Sequence, residues 1–136
     1  MSDITQNIKS YKLIYPQIYS YTLPNRTQNN GSQKIGYTER KDVDARILEQ
    51  VRTAAFSEDY TKLWSAPAFF KGNKESFIDT EFHSFLEKNG IERRTNLGTE
   101  WFYFNGEPFK SKELFDLFRN EGFSALQNKD EKVPYT

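Results

Sequence analysis

Apolar and polar positions along this chain follow two rhythms, one of period two and one near 3.6. Gln17 to Thr22 (QIYSYT) is β-branched and aromatic and predicts a strand. Leu23 to Ser32 (LPNRTQNNGS) is crowded with turn formers and predicts a loop. Gln33 to Thr38 (QKIGYT) predicts a second strand, antiparallel to the first if that loop closes a hairpin. Asp42 is placed to cap the helix that follows, where Val43, Ile47 and Val51 recur at i, i+4 and i+8 with Leu48 and Ala54 beside them. Lys62 to Phe70 predicts an extended segment that Pro67 confines to a sheet edge or ends. Ser76 to Lys88 predicts a helix, most of whose apolar residues (Phe77, Ile78, Phe82, Phe85, Leu86) share one face, with Asn89-Gly90 as its stop. Thr99 to Asn105 (TEWFYFN) predicts a further strand. Ser111 to Asn120 predicts a last helix with Leu114, Phe115, Leu117 and Phe118 apolar and Gly122 just past its end.

This order of elements predicts an α+β fold: a small, mainly antiparallel sheet of three or more strands flanked by helices. Ile4, Ile8 and Tyr11 fall at helical spacing before Pro16, so residues 1–15 read as an N-terminal helical extension. Residues 16–126 form the predicted domain, and the polar stretch 127–136 reads as a linker to a downstream domain.

Composition narrows the picture. A chain of 136 residues builds one core, and although its hydrophobic fraction is only 36%, 12 Phe, 8 Tyr and 2 Trp supply the bulk to fill it. The absence of cysteine excludes disulfides and thiolate-ligated zinc or iron–sulfur centres. No basic segment leads into an apolar run, and no apolar stretch approaches the roughly 20 residues that span a bilayer. A soluble, cytoplasmic protein without membrane contact is the expectation. The balance of 19 basic against 19 acidic residues lacks the excess of a dedicated nucleic-acid binder, leaving room only for a local basic face. Nor is there a P-loop, a dinucleotide-binding glycine pattern or an HExxH, so no nucleotide cofactor is expected in this piece.

The strands IYSYT and KIGYT, followed by a helix carrying Arg46, resemble the GIY-YIG nuclease family. Gln17-Ile18-Tyr19 stands where that family has its first triplet, and Lys34-Ile35-Gly36 where it has its second. The spelling KIG-Y-T is similar to a divergent branch found in phages and bacterial defence-type proteins. That branch carries an acid four residues before a histidine on a later helix, then an EWF strand. Asp79 with His83, and Glu100-Trp101-Phe102, take those places here. The resemblance runs from Pro16 to Phe104 and implies an endonuclease acting on DNA with Mg2+ or Mn2+. It also implies a place at the N-terminus of a larger restriction-like or helicase-like chain, whose downstream domain would be a partner.

On that resemblance Arg46 would clamp the scissile phosphate, a task suited to a guanidinium fork. Asp79 would be the metal ligand, one methylene shorter than the family's glutamate; Glu81 and Glu100 are alternatives. Magnesium often takes only one or two protein carboxylates, the rest being water and phosphate. Tyr19 would orient or deprotonate the attacking water. Lys34 replaces the second motif tyrosine and would steady phosphate charge, or act as a base if desolvated. Tyr37 is the nearest substitute phenol, although alternation puts it on the face opposite Gly36. His83, the only histidine, lies one helical turn from Asp79 and suits either an acid–base role or a structural one. Lys71, Arg93 and Arg94 would line a DNA path through backbone contacts. Gly36 and Trp101 read as structural, Gly36 permitting close approach and Trp101 filling core. Each charged candidate has a plainer reading as a solvated or ion-paired surface group. The atypical Gln17, Lys34 and Asp79 also suit a non-catalytic DNA-binding module, and the zero net charge suits a protein-interaction domain.

Overall fold

The computed structural model describes residues 13–54 and 59–121. Within them the chain forms β1 (Gln17–Thr22), a single 3-10 turn (Thr27–Asn29), β2 (Ser32–Thr38), α1 (Val43–Thr53), β3 (Thr61–Pro67), α2 (Asp79–Lys88), β4 (Glu92–Arg93), β5 (Trp101–Tyr103) and α3 (Lys110–Glu121). The five strands make one sheet in the order β3-β1-β2-β5-β4, and every neighbouring pair is antiparallel. The fold is the expected α+β arrangement. The predicted N-terminal helix, Gly122 and the predicted linker lie outside the described residues.

Alternation along the central strands sends side chains into two cores. Ile18, Ile35, Trp64, Ala66, Phe102 and Phe104 face α2 and α3, which contribute Phe82, Phe85, Leu86, Leu114, Phe115 and Phe118. Tyr19, Tyr21 and Trp101 face the other way and are covered by Val43, Ile47 and Val51 of α1. β1 is therefore buried on both sides, which is why its sequence is aromatic and aliphatic with no charge. The polar Ser20 and Gln33 are tolerated inside because they are paired. Ser20 and Ser111 both donate to Gln33 Oε1, at 2.9 and 2.6 Å, and the Trp64 indole N–H donates to Ser111 Oγ at 2.8 Å.

The strands β1 and β2, the cap of α1 and the last helix follow the sequence pattern. Asp42 Oδ1 accepts from the Ala45 N–H at 3.1 Å. Three boundaries depart from it. The helix expected from Ser76 begins at Asp79, because Ser76 bridges to Phe69 and the Phe77 N–H donates to the Ala68 carbonyl at 3.0 Å. Ile78 is consequently half-exposed at the helix entry instead of on its apolar face. The strand expected over Thr99–Asn105 contracts to Trp101–Tyr103, since Trp101 N–H closes a turn onto Gly98 and Asn105 turns left-handed at φ 48°. Glu92 and Arg93, which fall between the predicted elements, pair with β5 as a short edge strand.

Candidate functional site

The first strand pair builds the floor of the site. In the β1–β2 register Tyr19 lies opposite Gly36 and Tyr21 opposite Lys34, so all four point toward α1. Gly36 is what lets the Tyr19 ring lie flat. A Cβ there would stand 2.5 Å from both Cζ and the hydroxyl of Tyr19. Tyr21 stacks beside that ring with centroids 6.2 Å apart, and Trp101 meets Tyr21 edge-on at 5.8 Å. Above them α1 brings Arg46 and Gln50. Gln50 Oε1 accepts from the Tyr21 hydroxyl at 3.2 Å. The Tyr19 hydroxyl is buried; Gln50 stands close enough to act on it, but no group among the described residues makes a well-formed hydrogen bond to it.

The wall is acidic. Asp79 is the first residue of α2, and its carboxylate accepts from its own N–H and that of Thr80. Beside it, within hydrogen-bonding range, stands the carboxyl group of Glu100. Burial, then the charge of Glu100, then the shared hydrogen bond push Asp79 up to about 6. Glu100 is held from two sides: its carbonyl accepts from the Ile35 N–H at 2.9 Å, and its Oε1 lies 3.3 Å from Lys34 Nζ. The charges of Glu100, Arg46 and Asp79 all reach the Tyr19 phenol.

Tyr19, Lys34, Arg46, Asp79 and His83, dispersed over 65 positions of sequence, thus meet at one place. Their chemistry differs from residue to residue. Burial above all raises Tyr19 to about 12, so it stays a neutral phenol near pH 7: it can orient a water but does not draw a proton from one. His83 is buried; its Nε2 lies 2.7 Å from the Ile35 carbonyl, to which it donates, and 3.9 Å from Asp79 Oδ2. Desolvation lowers its pKa and leaves it neutral. Tyr37 lies on the α2–α3 face, where its hydroxyl donates to Glu39 at 3.0 Å. A hollow of about 580 Å³ runs beside Arg46 and is lined by Tyr37, Arg40 and Lys41 among others.

The remaining candidates lie elsewhere. Lys71 is exposed in the turn after β3, where its N–H donates to Arg119 of α3. Arg93 pairs with Glu87 at 3.2 Å and lies over the Phe102 ring. Arg94 pairs with Glu92 at 3.5 Å and lies over Tyr103. Glu81 is exposed on the first turn of α2. Two members of the cluster had little weight in the sequence reading. Glu100 stood only as an alternative to Asp79, and Gln50 only as a plain helix-surface partner for Arg46. The EWF triplet lies in this segment, but only strand pairing puts its acid beside Lys34 and Asp79.

The donor set around Asp79 suits an oxygen-seeking divalent cation. It offers two carboxylates side by side, while His83 Nε2 is committed to the main chain. Among the described residues no group of three His, Asp or Glu could hold a metal, so water or phosphate would complete its shell.

Residues 17–120 match the family model described as the T5orf172 domain. The chain belongs to that family. The T5orf172 match opens at the first residue of β1 and closes in the last turn of α3, so it takes in the sheet, the three helices and the whole cluster. A protein of Mycoplasma pneumoniae, named as the N-terminus of a "putative type II restriction enzyme and methyltransferase", is 30% identical over 117 residues. The alignment covers 76% of this chain and 70% of that relative. No solved structure matches the chain. Among the described residues no helix is long and apolar enough to cross a membrane.

Proposed function

We propose that this T5orf172 domain is a GIY-YIG-like endonuclease that hydrolyses DNA phosphodiester bonds with Mg2+ or Mn2+. The observation that carries the reading is the Tyr19 hydroxyl, buried without a well-formed hydrogen bond where the charges of Arg46, Asp79 and Glu100 all reach it. A polar atom left unsatisfied in a core costs stability, and such costs gather where a ligand supplies the missing partner. Arg46 binds the scissile phosphate and offsets its charge. Tyr19, held neutral, orients the attacking water. Asp79, with Glu100 beside it, holds the cation, which when bound polarises the phosphoryl oxygens and steadies the leaving oxygen. Arg40 and Lys41 continue the basic side of the hollow beside Arg46 and lie where a nucleic-acid backbone would run. The name of the Mycoplasma relative, the N-terminus of a "putative type II restriction enzyme and methyltransferase", supports a place within a longer restriction-type protein.

The test is nicking of supercoiled plasmid by the purified chain with Mg2+ or Mn2+, beside Arg46→Ala and Asp79→Ala. Metal-dependent nicking that both substitutions abolish, with folding retained, supports the reading. A second reading, a DNA-binding module without catalysis, is favoured by the closure of Tyr19 and by the engagement of Lys34 with Glu100. Plasmid binding without nicking under every metal would move the conclusion there.

A further inference from the structure

Lys34 and Glu100 hold an arrangement that a strand-surface ion pair does not need. Two carboxyl groups, Asp79 and Glu100, stand within hydrogen-bonding range of each other, the Asp79 side chain only 14% exposed. Such a pair is unfavourable unless a proton or a cation lies between its members. One cation is already there: Lys34 Nζ sits 3.3 Å from Glu100 Oε1 with its side chain 18% exposed. The Glu100 main chain is fixed, its carbonyl accepting from the Ile35 N–H, and its carboxylate is engaged by Lys34 although the side chain remains 35% exposed. Independently, the Tyr19 hydroxyl is wholly buried within reach of the same two carboxylates and makes no well-formed hydrogen bond, although Gln50 stands close to it.

We infer that Glu100 is the second carboxylate of a divalent-cation site shared with Asp79, and that Lys34 is its built-in counter-cation. Lys34 occupies Glu100 while the metal is absent and is released toward the phosphate when metal takes its place. The inference rests on the reading of Asp79 as a metal ligand given above. The exchange needs no large motion. Lysine is a point charge on a flexible stem, and its ammonium suits a phosphate oxygen as well as a carboxylate. It also explains why a lysine can stand in the second triplet: there it balances the acids in the free protein and the phosphate in the complex.

The experiment is calorimetric titration of the full chain with Mn2+ at about pH 8, where carboxyl groups are ionised, repeated on Asp79→Asn, Glu100→Gln, Glu100→Asp and Lys34→Gln. Loss of about tenfold or more in Mn2+ affinity is expected for Asp79→Asn and Glu100→Gln, with Glu100→Asp between them and the wild type. Lys34→Gln removes a competing charge and is expected to tighten Mn2+ about threefold. It should also weaken binding of a duplex oligonucleotide more in Ca2+ than in EDTA, because only the metal-loaded site frees the lysine. Asp79→Asn losing the metal while both folded Glu100 variants stay within twofold of wild type would overturn the inference and leave the Asp79 reading standing. Wild type and Asp79→Asn alike failing to bind Mn2+ would remove both. Weaker Mn2+ binding in Lys34→Gln, or equal DNA loss in Ca2+ and EDTA, would overturn the counter-cation role.

Discussion

Replacing Tyr19 by Phe separates what the hydroxyl costs from what it does. That oxygen is buried without a well-formed hydrogen bond among the described residues, Gln50 standing near it, while the ring that carries it is fully packed. A buried polar group left unsatisfied costs about 1–3 kcal/mol. Removing one oxygen leaves a small void, whose cost at ~24 cal/mol per Å³ is a few tenths of a kcal/mol. The ring keeps its stacking on Tyr21 and its seat over Gly36. The net effect is a gain of about 1 kcal/mol, or a Tm rise of roughly 4 °C for a domain of this size. Plasmid nicking by the same protein should fall steeply, by about 100-fold if Tyr19 orients the reacting water. Urea unfolding with the m-value checked, beside the nicking assay, reads both quantities. A Tyr19→Phe protein destabilised by more than about 1 kcal/mol would refute the reasoning, since it would mean that the hydroxyl is satisfied in the folded state. Gained stability with unchanged nicking would take Tyr19 out of the site.

Gly36→Ala drives a methyl into the Tyr19 ring, against atoms 2.5 Å away, and should destabilise by about 1–3 kcal/mol, measured by thermal unfolding. A Tm equal to wild type would show that the ring moves aside freely. Ser111→Ala strands the Trp64 indole N–H and removes one donor to Gln33, at an expected cost of about 1–3 kcal/mol by urea unfolding; a cost under about 0.5 kcal/mol would mean that the network is not needed. Asp79 titrates near 6 in the folded chain against an ordinary 3.8, so the folded state holds this proton more tightly than the unfolded chain does. Stability of the wild type relative to Asp79→Asn should therefore be highest below pH 3.8 and fall as pH rises through about 6. The buried His83 has the opposite tendency, losing stability as pH falls below 6.5, but it is present in both proteins and largely cancels in the difference. A difference that grows with pH would show that the folded protein prefers Asp79 ionised.

Local pattern by itself determined the α+β class, β1 and β2 nearly to the residue, the Asp42 cap and most of the core. These features depend on alternation, helical spacing and turn chemistry, all of which are short-range. It also marked Tyr19, Lys34, Arg46, Asp79 and His83 through a resemblance between motifs. Tertiary structure decided what those residues meet. Helix α2 starts at Asp79 because Ser76 and Phe77 are taken by bonds to Phe69 and Ala68, residues of the segment after β3. Arg93, which no local pattern assigned to a strand, pairs because β5 offered an edge. The partnership of Asp79, Glu100 and Lys34 is invisible along the chain, since it needs β5 against β2 and the start of α2 beside both. Burial, finally, is a property of the assembled molecule. It fixes Tyr19 as a neutral phenol and lifts Asp79 toward 6, because only the packed sheet and helices remove the water that would otherwise surround them.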